Sequence, residues 1–149
     1  MTSPSDRWSR WLLERRHGGD EHQREATLAQ LGGIRDRVLA GSEPLEGATL
    51  LDVGAGDGLI GLAALDRVGP DGAVVSADVS AALLDECRRG AAAKGAGDRA
   101  RFILADATNL EPIRSESVDV VTTRSVAEKD HAAGSRTSRS GKPGPQAQA

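Results

Sequence analysis

The chain has 149 residues and one cysteine, and its 19 basic and 22 acidic side chains leave a net charge of −3. That length suits one domain, two at most, and a single cysteine excludes an internal disulfide framework or a thiolate metal cluster. No apolar run approaches the ~20 residues that span a bilayer, and a mildly acidic chain lacks the basic field of a nucleic-acid binder.

The opening Met1-Thr-Ser-Pro-Ser-Asp-Arg7 has neither the charged start nor the apolar stretch of a signal peptide. A soluble, cytoplasmic protein without nucleic-acid or membrane partners is therefore expected. In chain order, residues 5–40 read as helical. Trp8, Trp11 and Leu12 share one face, and Leu28, Leu31, Arg35 and Val38-Leu39 repeat the spacing. Gly18-Gly19 and Gly32-Gly33 interrupt it, so the segment 1–44 is predicted to hold two or three helices rather than one. Gly41-Ser-Glu-Pro44 marks a turn. An apolar run of strand type follows at 48–53, then a helix from Gly58 to Val68 that Gly69-Pro-Asp-Gly72 ends. A second strand at 73–77 leads to Asp78 and to a helix capped by Ser80 that runs to about Lys94. A third strand at 101–105 ends at Asp106, and a fourth at 117–122 follows a loop containing Pro112.

Leu, Ile, Val and Phe number 30, and all of them lie in residues 1–126. Residues 127–149 contain no Met or Trp either, and their four basic and two acidic side chains give +2. Such a segment buries nothing to offset roughly 1–2 kcal/mol of backbone entropy per ordered residue. It is predicted to be a disordered polar tail, with Arg136-Thr-Ser-Arg-Ser140 solvated rather than bound to RNA or phosphate.

Strand, helix, strand, helix, strand gives consecutive βαβ units, and these specify an α/β fold with a parallel sheet. Asp52, Asp78 and Asp106 fall at or near the ends of the first three strands. Ligands of such sheets bind beyond the carboxyl edge, where the strand order reverses, and all three acids point there. Asp52-Val-Gly54-Ala-Gly56-Asp-Gly58 joins the first strand to its helix, and glycines at that join let the backbone bend tightly and let a ligand approach. Two readings compete for this loop. Gly56-Asp-Gly58-Leu-Ile-Gly61 matches a dinucleotide fingerprint, with Asp78 placed like a ribose-binding acid. In that frame, however, Gly54 and Ala55 intervene between strand and first glycine, and Asp57 puts a negative charge beside the pyrophosphate. A positively charged ligand without phosphate suits the loop better.

The runs Leu50-Leu-Asp-Val-Gly-Ala-Gly-Asp-Gly58, Val74-Val-Ser-Ala-Asp-Val-Ser80, Ala105-Asp106-Ala107 and Val118-Asp-Val-Val121 together resemble the class I S-adenosylmethionine-dependent methyltransferases over residues 45–126. The resemblance implies a Rossmann-like parallel sheet with flanking helices, S-adenosylmethionine as cofactor, and methyl transfer to an unidentified, small-molecule acceptor. Gly54, Ala55, Gly56 and Gly58 would cradle the methionine part of the cofactor, with Asp52 close to that end. Asp78 would accept hydrogen bonds from both ribose hydroxyls, and Val79 would pack on the adenine. Asp106 would accept from the adenine amino group while the Ala107 N–H helps to read the ring edge. The competing reading of Asp78 and Asp106 is a helix N-cap or a turn acid.

On the substrate side, Thr123, Arg124 and Ser125 lie just beyond the fourth strand, and Trp8, Trp11 and Arg15 of an N-terminal lid are candidate contacts. For the tryptophans helix packing is the competing reading. No residue stands out as a general base. His17, Asp20 and His22 lack the spacing of metal ligands on one helix face, and Cys87 reads as a small apolar core residue. Family members continue past the fourth strand with further strands and helices in the order 3-2-1-4-5-7-6, whereas here the polar tail begins. A chain truncated or frameshifted after about residue 126 is therefore expected, with about four strands and an unpaired edge on the fourth. Two further readings stay open: a noncatalytic cofactor-binding fragment or inactive truncated product, and an NAD(P)-binding oxidoreductase fragment.

Overall fold

The computed structural model describes residues 7, 9, 10, 14, 21–114, 116–123 and 136–139. Arg7, Ser9, Arg10 and Glu14 have helical backbone. The first described helix, α1 (Glu21–Ser42), runs unbroken through Gly32-Gly33, contrary to the predicted interruption. A glycine inside a helix costs only about 1 kcal/mol relative to Ala. The last turns recover more than that by burying Val38 and Leu39, and the Ser42 hydroxyl donates to the Val38 carbonyl at 2.7 Å.

Strand β1 (Thr49–Val53) leads into α2 (Leu59–Val68), β2 (Ala73–Asp78) and α3 (Ala81–Ala93). A short 3-10 turn at Gly97–Arg99 precedes β3 (Ala100–Leu104). Ser80 caps α3, accepting from the Leu83 N–H as its position implied. The turn between α2 and β2 is tight enough that a Cβ on Gly72 would lie 2.4 Å from the Val68 Cβ and 2.8 Å from the Ala48 carbonyl oxygen. Strand β4 (Val120–Thr123) begins three residues later than predicted. Asp119 is used to fix it: its N–H donates to the Thr49 carbonyl while its carboxylate accepts from the Thr49 N–H, at 2.9 and 3.0 Å.

The sheet order is β3-β2-β1-β4-β5, with β1, β2, β3 and β4 parallel. The last strand, β5 (Arg136–Arg139), pairs antiparallel with β4, Val120 opposite Arg139 and Thr123 opposite Arg136. This pairing corrects the predicted open edge of β4, and it places residues 136–139 of the predicted tail in a strand; the other residues of 127–149 lie outside the described residues. An outer strand needs backbone partners, and backbone pairing asks nothing of side-chain hydrophobicity. A polar segment without a single large apolar residue can therefore supply an edge strand.

The chain steps from β1 outward to β3 and then returns to the opposite side of β1, so the reversal of order lies between β1 and β4. Leu50, Val74 and Val120 stand in register and are buried with Val38, Leu39, Leu45, Leu65 and Val68 on the helix-covered face. Their neighbours Leu51, Val53, Val75 and Ala77 form a second core, against which Leu110, Ile113 and Val118 of the connection between β3 and β4 pack. Strands buried on both faces read as continuous apolar runs, as β1 and β2 do. Among the described residues no helix is long and apolar enough to cross a membrane.

Candidate functional site

The join of β1 and α2 sits at the carboxyl edge, and its geometry requires glycine. Gly54, Gly56 and Gly58 have φ of 71°, 59° and 101°, in the region that side chains disfavour. They differ in surroundings. A Cβ on Gly56 would meet nothing within 4 Å, whereas one on Gly58 would lie 2.8 Å from the Leu62 Cγ and 3.2 Å from the Cys87 Sγ. Gly58 is thus a packing glycine, and Gly56 leaves open space above the loop.

Nearly every backbone donor of the loop is used within the protein. The Gly54 and Ala55 N–H groups both donate to the Ala77 carbonyl, at 2.8 and 3.0 Å, and the Gly58 N–H donates to the Ala55 carbonyl at 3.1 Å. The Gly56 N–H donates to Oδ2 of Asp78 at 2.9 Å. From the other side, the Cys87 thiol donates to the Gly56 carbonyl at 3.1 Å, so this buried cysteine does more than fill space.

Asp78 is buried at the end of β2, and its Oδ1 accepts from the Ser80 N–H at 2.9 Å. The helix cap is Ser80, not Asp78. Asp78 is therefore a turn acid that ties the glycine loop to the β2–α3 junction. A carboxylate offers about four acceptor positions, and these two bonds leave capacity for a diol. Asp52 is buried on the helix face of β1, where the Thr122 hydroxyl donates to its Oδ1 at 2.8 Å. A Cβ on Gly61 would come within 3.9 Å of the other oxygen, which places this carboxyl group beneath the first turn of α2.

Asp106 is exposed beyond β3, and both the N–H and the hydroxyl of Thr108 donate to its Oδ1 at 2.9 Å. Those two donors hold its carboxyl below the ordinary value of 3.8. Ala107 beside it is exposed as well. The Ala105 N–H donates to the Asp78 carbonyl at 3.0 Å, which ties the Asp106 turn to the end of β2.

Val79 is 53% exposed, and Leu104, which pairs with Asp78 across the sheet, is 60% exposed. Together with Asp78 and Asp106 they give this edge of the sheet a mixed apolar and acidic character. Leu104 escaped the sequence reading because an apolar residue closing an apolar strand looks like core. Thr122 escaped because its partner Asp52 is 70 residues away.

Of the substrate candidates, Thr123 ends β4 half-buried, while Arg124, Ser125, Trp8, Trp11 and Arg15 lie outside the described residues, as do His17 and Asp20. His22 is exposed on α1. Among the described residues no group of three or more His, Cys, Asp or Glu side chains is arranged to hold a metal ion.

Comparison with known proteins points one way. Release factor glutamine methyltransferase of Chlorobaculum tepidum is 43% identical over 85 residues, which cover 56% of this chain and 29% of that protein. Arsenite methyltransferase of Halobacterium salinarum is 35% identical over 96 residues, covering 64% and 24%. The crystal structure of a SAM-dependent methyltransferase from Thiobacillus denitrificans in complex with S-adenosyl-L-homocysteine superposes with a TM-score of 0.50 at 26% identity, covering 61% of this chain and 35% of that one. The chain thus spans about a quarter to a third of the length of these proteins. The profile described as a methyltransferase domain matches residues 50–144, continuing past residue 126 where the motif resemblance stops. That match takes in more than half of the sequence and the whole glycine loop, and the chain belongs to the family of methyltransferase domains.

Proposed function

We propose that the chain binds S-adenosylmethionine at the carboxyl edge of β1, β2 and β3 and takes part in methyl transfer to a small-molecule acceptor. The observation that carries this reading is the state of the glycine-loop donors. A dinucleotide pyrophosphate needs free backbone N–H groups at this turn, yet those of Gly54, Ala55, Gly56 and Gly58 already donate within the protein. The positive end of α2 also has the buried Asp52 carboxylate beneath it. A cationic ligand is favoured at such a place, and a polyanion is not.

The residues present fit the cofactor. The open space above Gly56 admits a ligand close to the backbone, where a Cβ would intrude. Asp78, fixed by the N–H groups of Gly56 and Ser80, presents preorganised acceptors to a ribose diol. Exposed Val79 offers an apolar wall for a purine, and Asp106 with the Ala107 backbone offers an acceptor and a donor to its edge. When bound, the sulfonium supplies a methyl carbon already activated for in-line displacement. The protein's part is then capture and alignment, which alone can contribute several kcal/mol to a rate. The relatives act, by their names, on acceptors as different as a release-factor glutamine and arsenite, so the acceptor is a matter for experiment.

The test is a calorimetric titration of the full chain and an Asp78→Asn variant with S-adenosylhomocysteine and with NADH. Binding of the homocysteine compound, weakened at least tenfold by Asp78→Asn, is expected. Binding of NADH instead would overturn the reading.

A further inference from the structure

The Asp78 carboxylate is held by more than its own loop. Ser9 and Ser80, 71 residues apart and each only 3% exposed, share a 2.6 Å hydrogen bond between their hydroxyls. Ser80 is at the same time the cap of α3, accepting the Leu83 N–H at 3.3 Å, and a clamp on Asp78 through its own N–H. Asp78 in turn holds the Gly56 N–H, and the Gly56 carbonyl accepts from Cys87. A continuous path of hydrogen bonds thus runs from Ser9 through Ser80 and Asp78 to the floor of the glycine loop.

A capping serine needs only its acceptor lone pairs for the helix. Its hydroxyl is otherwise free to rotate away, and without the cap bond to the Leu83 N–H the turn that carries the Ser80 N–H loosens its hold on Asp78. The bond to Ser9 removes that freedom from a distant point in the chain. We infer that Ser9 is a positioning residue for the site: acting through Ser80, it fixes the orientation in which Asp78 meets the ribose hydroxyls. This rests on the cofactor reading above only for what Asp78 binds; the orientation of Asp78 itself can be tested without ligand.

The experiment compares the full wild-type chain with Ser9→Ala and Ser9→Thr. Amide hydrogen exchange followed by NMR reads the free protein. The expected result for Ser9→Ala is exchange about three- to tenfold faster at Gly56 and Ser80, the two donors on Asp78, the size of effect that loss of one ordinary hydrogen bond produces. Gly72, whose N–H donates to the Gly69 carbonyl away from this path, keeps its rate. Ser9→Thr restores the wild-type rates because it keeps the hydroxyl. Calorimetry then compares S-adenosylhomocysteine with its 2′,3′-dideoxy analogue. Ser9→Ala weakens the former by a similar factor and leaves the latter unchanged, since only the diol meets Asp78.

Unchanged exchange at Gly56 and Ser80, or a uniform acceleration that includes Gly72, would overturn the inference, the second by showing mere loss of stability. If Asp78→Asn weakens binding and Ser9→Ala does not, the role of Ser9 falls and the cofactor reading stands. If neither affects binding while exchange responds as stated, the cofactor reading falls and the positioning of Asp78 by Ser9 stands.

Discussion

Gly56 and Gly58 sit two residues apart in one loop, both with positive φ, and alanine at each should fail for a different reason. At Gly56, φ of 59° is the ordinary left-handed region and a Cβ meets nothing within 4 Å. The cost to stability is then the left-handed penalty alone, about 1–2 kcal/mol. At Gly58, φ of 101° is outside the region that alanine tolerates, which costs about 1–3 kcal/mol. The new methyl would also lie 2.8 and 2.9 Å from Leu62 Cγ and Cδ1 and 3.2 Å from the Cys87 Sγ. Relieving that overlap adds about 1–3 kcal/mol, so Gly58→Ala should cost about 2–6 kcal/mol. Urea unfolding separates the two, provided the slope with denaturant stays the same. Gly58→Ala is expected to unfold at distinctly lower urea. Gly56→Ala should keep most of the stability but lose binding of S-adenosylhomocysteine, because its methyl occupies the open space over the loop. Equal midpoints for the two variants would refute the packing argument, and undiminished binding by Gly56→Ala would show that this loop is not the cradle.

Three further outcomes are expected. Thr122→Val removes the hydroxyl that donates to the buried Asp52 carboxylate and should cost about 1.5–3 kcal/mol in urea unfolding, with Thr122→Ser largely recovering it. Gly72→Ala, whose Cβ would fall 2.4 Å from that of Val68, should destabilise by about 3 kcal/mol or more, and retention of the wild-type melting temperature would show that the turn relaxes easily. The Asp106 carboxyl is held below 3.8 by the donors on Thr108, so it ionises at lower pH folded than unfolded. Its small stabilising contribution is therefore present above the unfolded value and is lost as the pH falls through the folded one. Thr108→Val keeps the backbone N–H, the larger cause, and removes only the hydroxyl, so the Asp106 titration, followed by carboxyl NMR shifts, should move part of the way upward; an unmoved midpoint would show that the backbone donor alone sets it.

Local signals carried most of the parallel sheet. The short, mostly apolar runs at 49–53 and 73–78 are strands buried on both faces, and Ser80 caps the helix that its position before an amphipathic stretch implies. The glycine spacing located the loop between β1 and α2 because the left-handed φ values there admit little else. Hidden from the sequence were the relations that depend on strand order. Thr122 meets Asp52 only because β4 lies beside β1, and Ser9 meets Ser80 only because the chain folds back over 71 positions. Glycine pairs were read too strictly at Gly32-Gly33, where packing of the later turns outweighs the propensity cost. Conversely, a search for apolar residues passes over Arg136–Arg139, since β5 is joined to the sheet through its backbone.

The connection between β3 and β4 plays two parts that are mechanically one. Its beginning is the turn at Asp106, tightened by Thr108 and by the Asn109 N–H donating to the Asp106 carbonyl. Immediately afterwards the same strand of chain lays Leu110, Ile113 and Val118 over the second core. A substitution that loosens the turn at one end therefore also loosens the cover over Leu51, Val53 and Val75 at the other. The rim of the sheet and the lining of its second face are thus carried by one continuous piece of chain, and a change at either is felt by the other through Leu110.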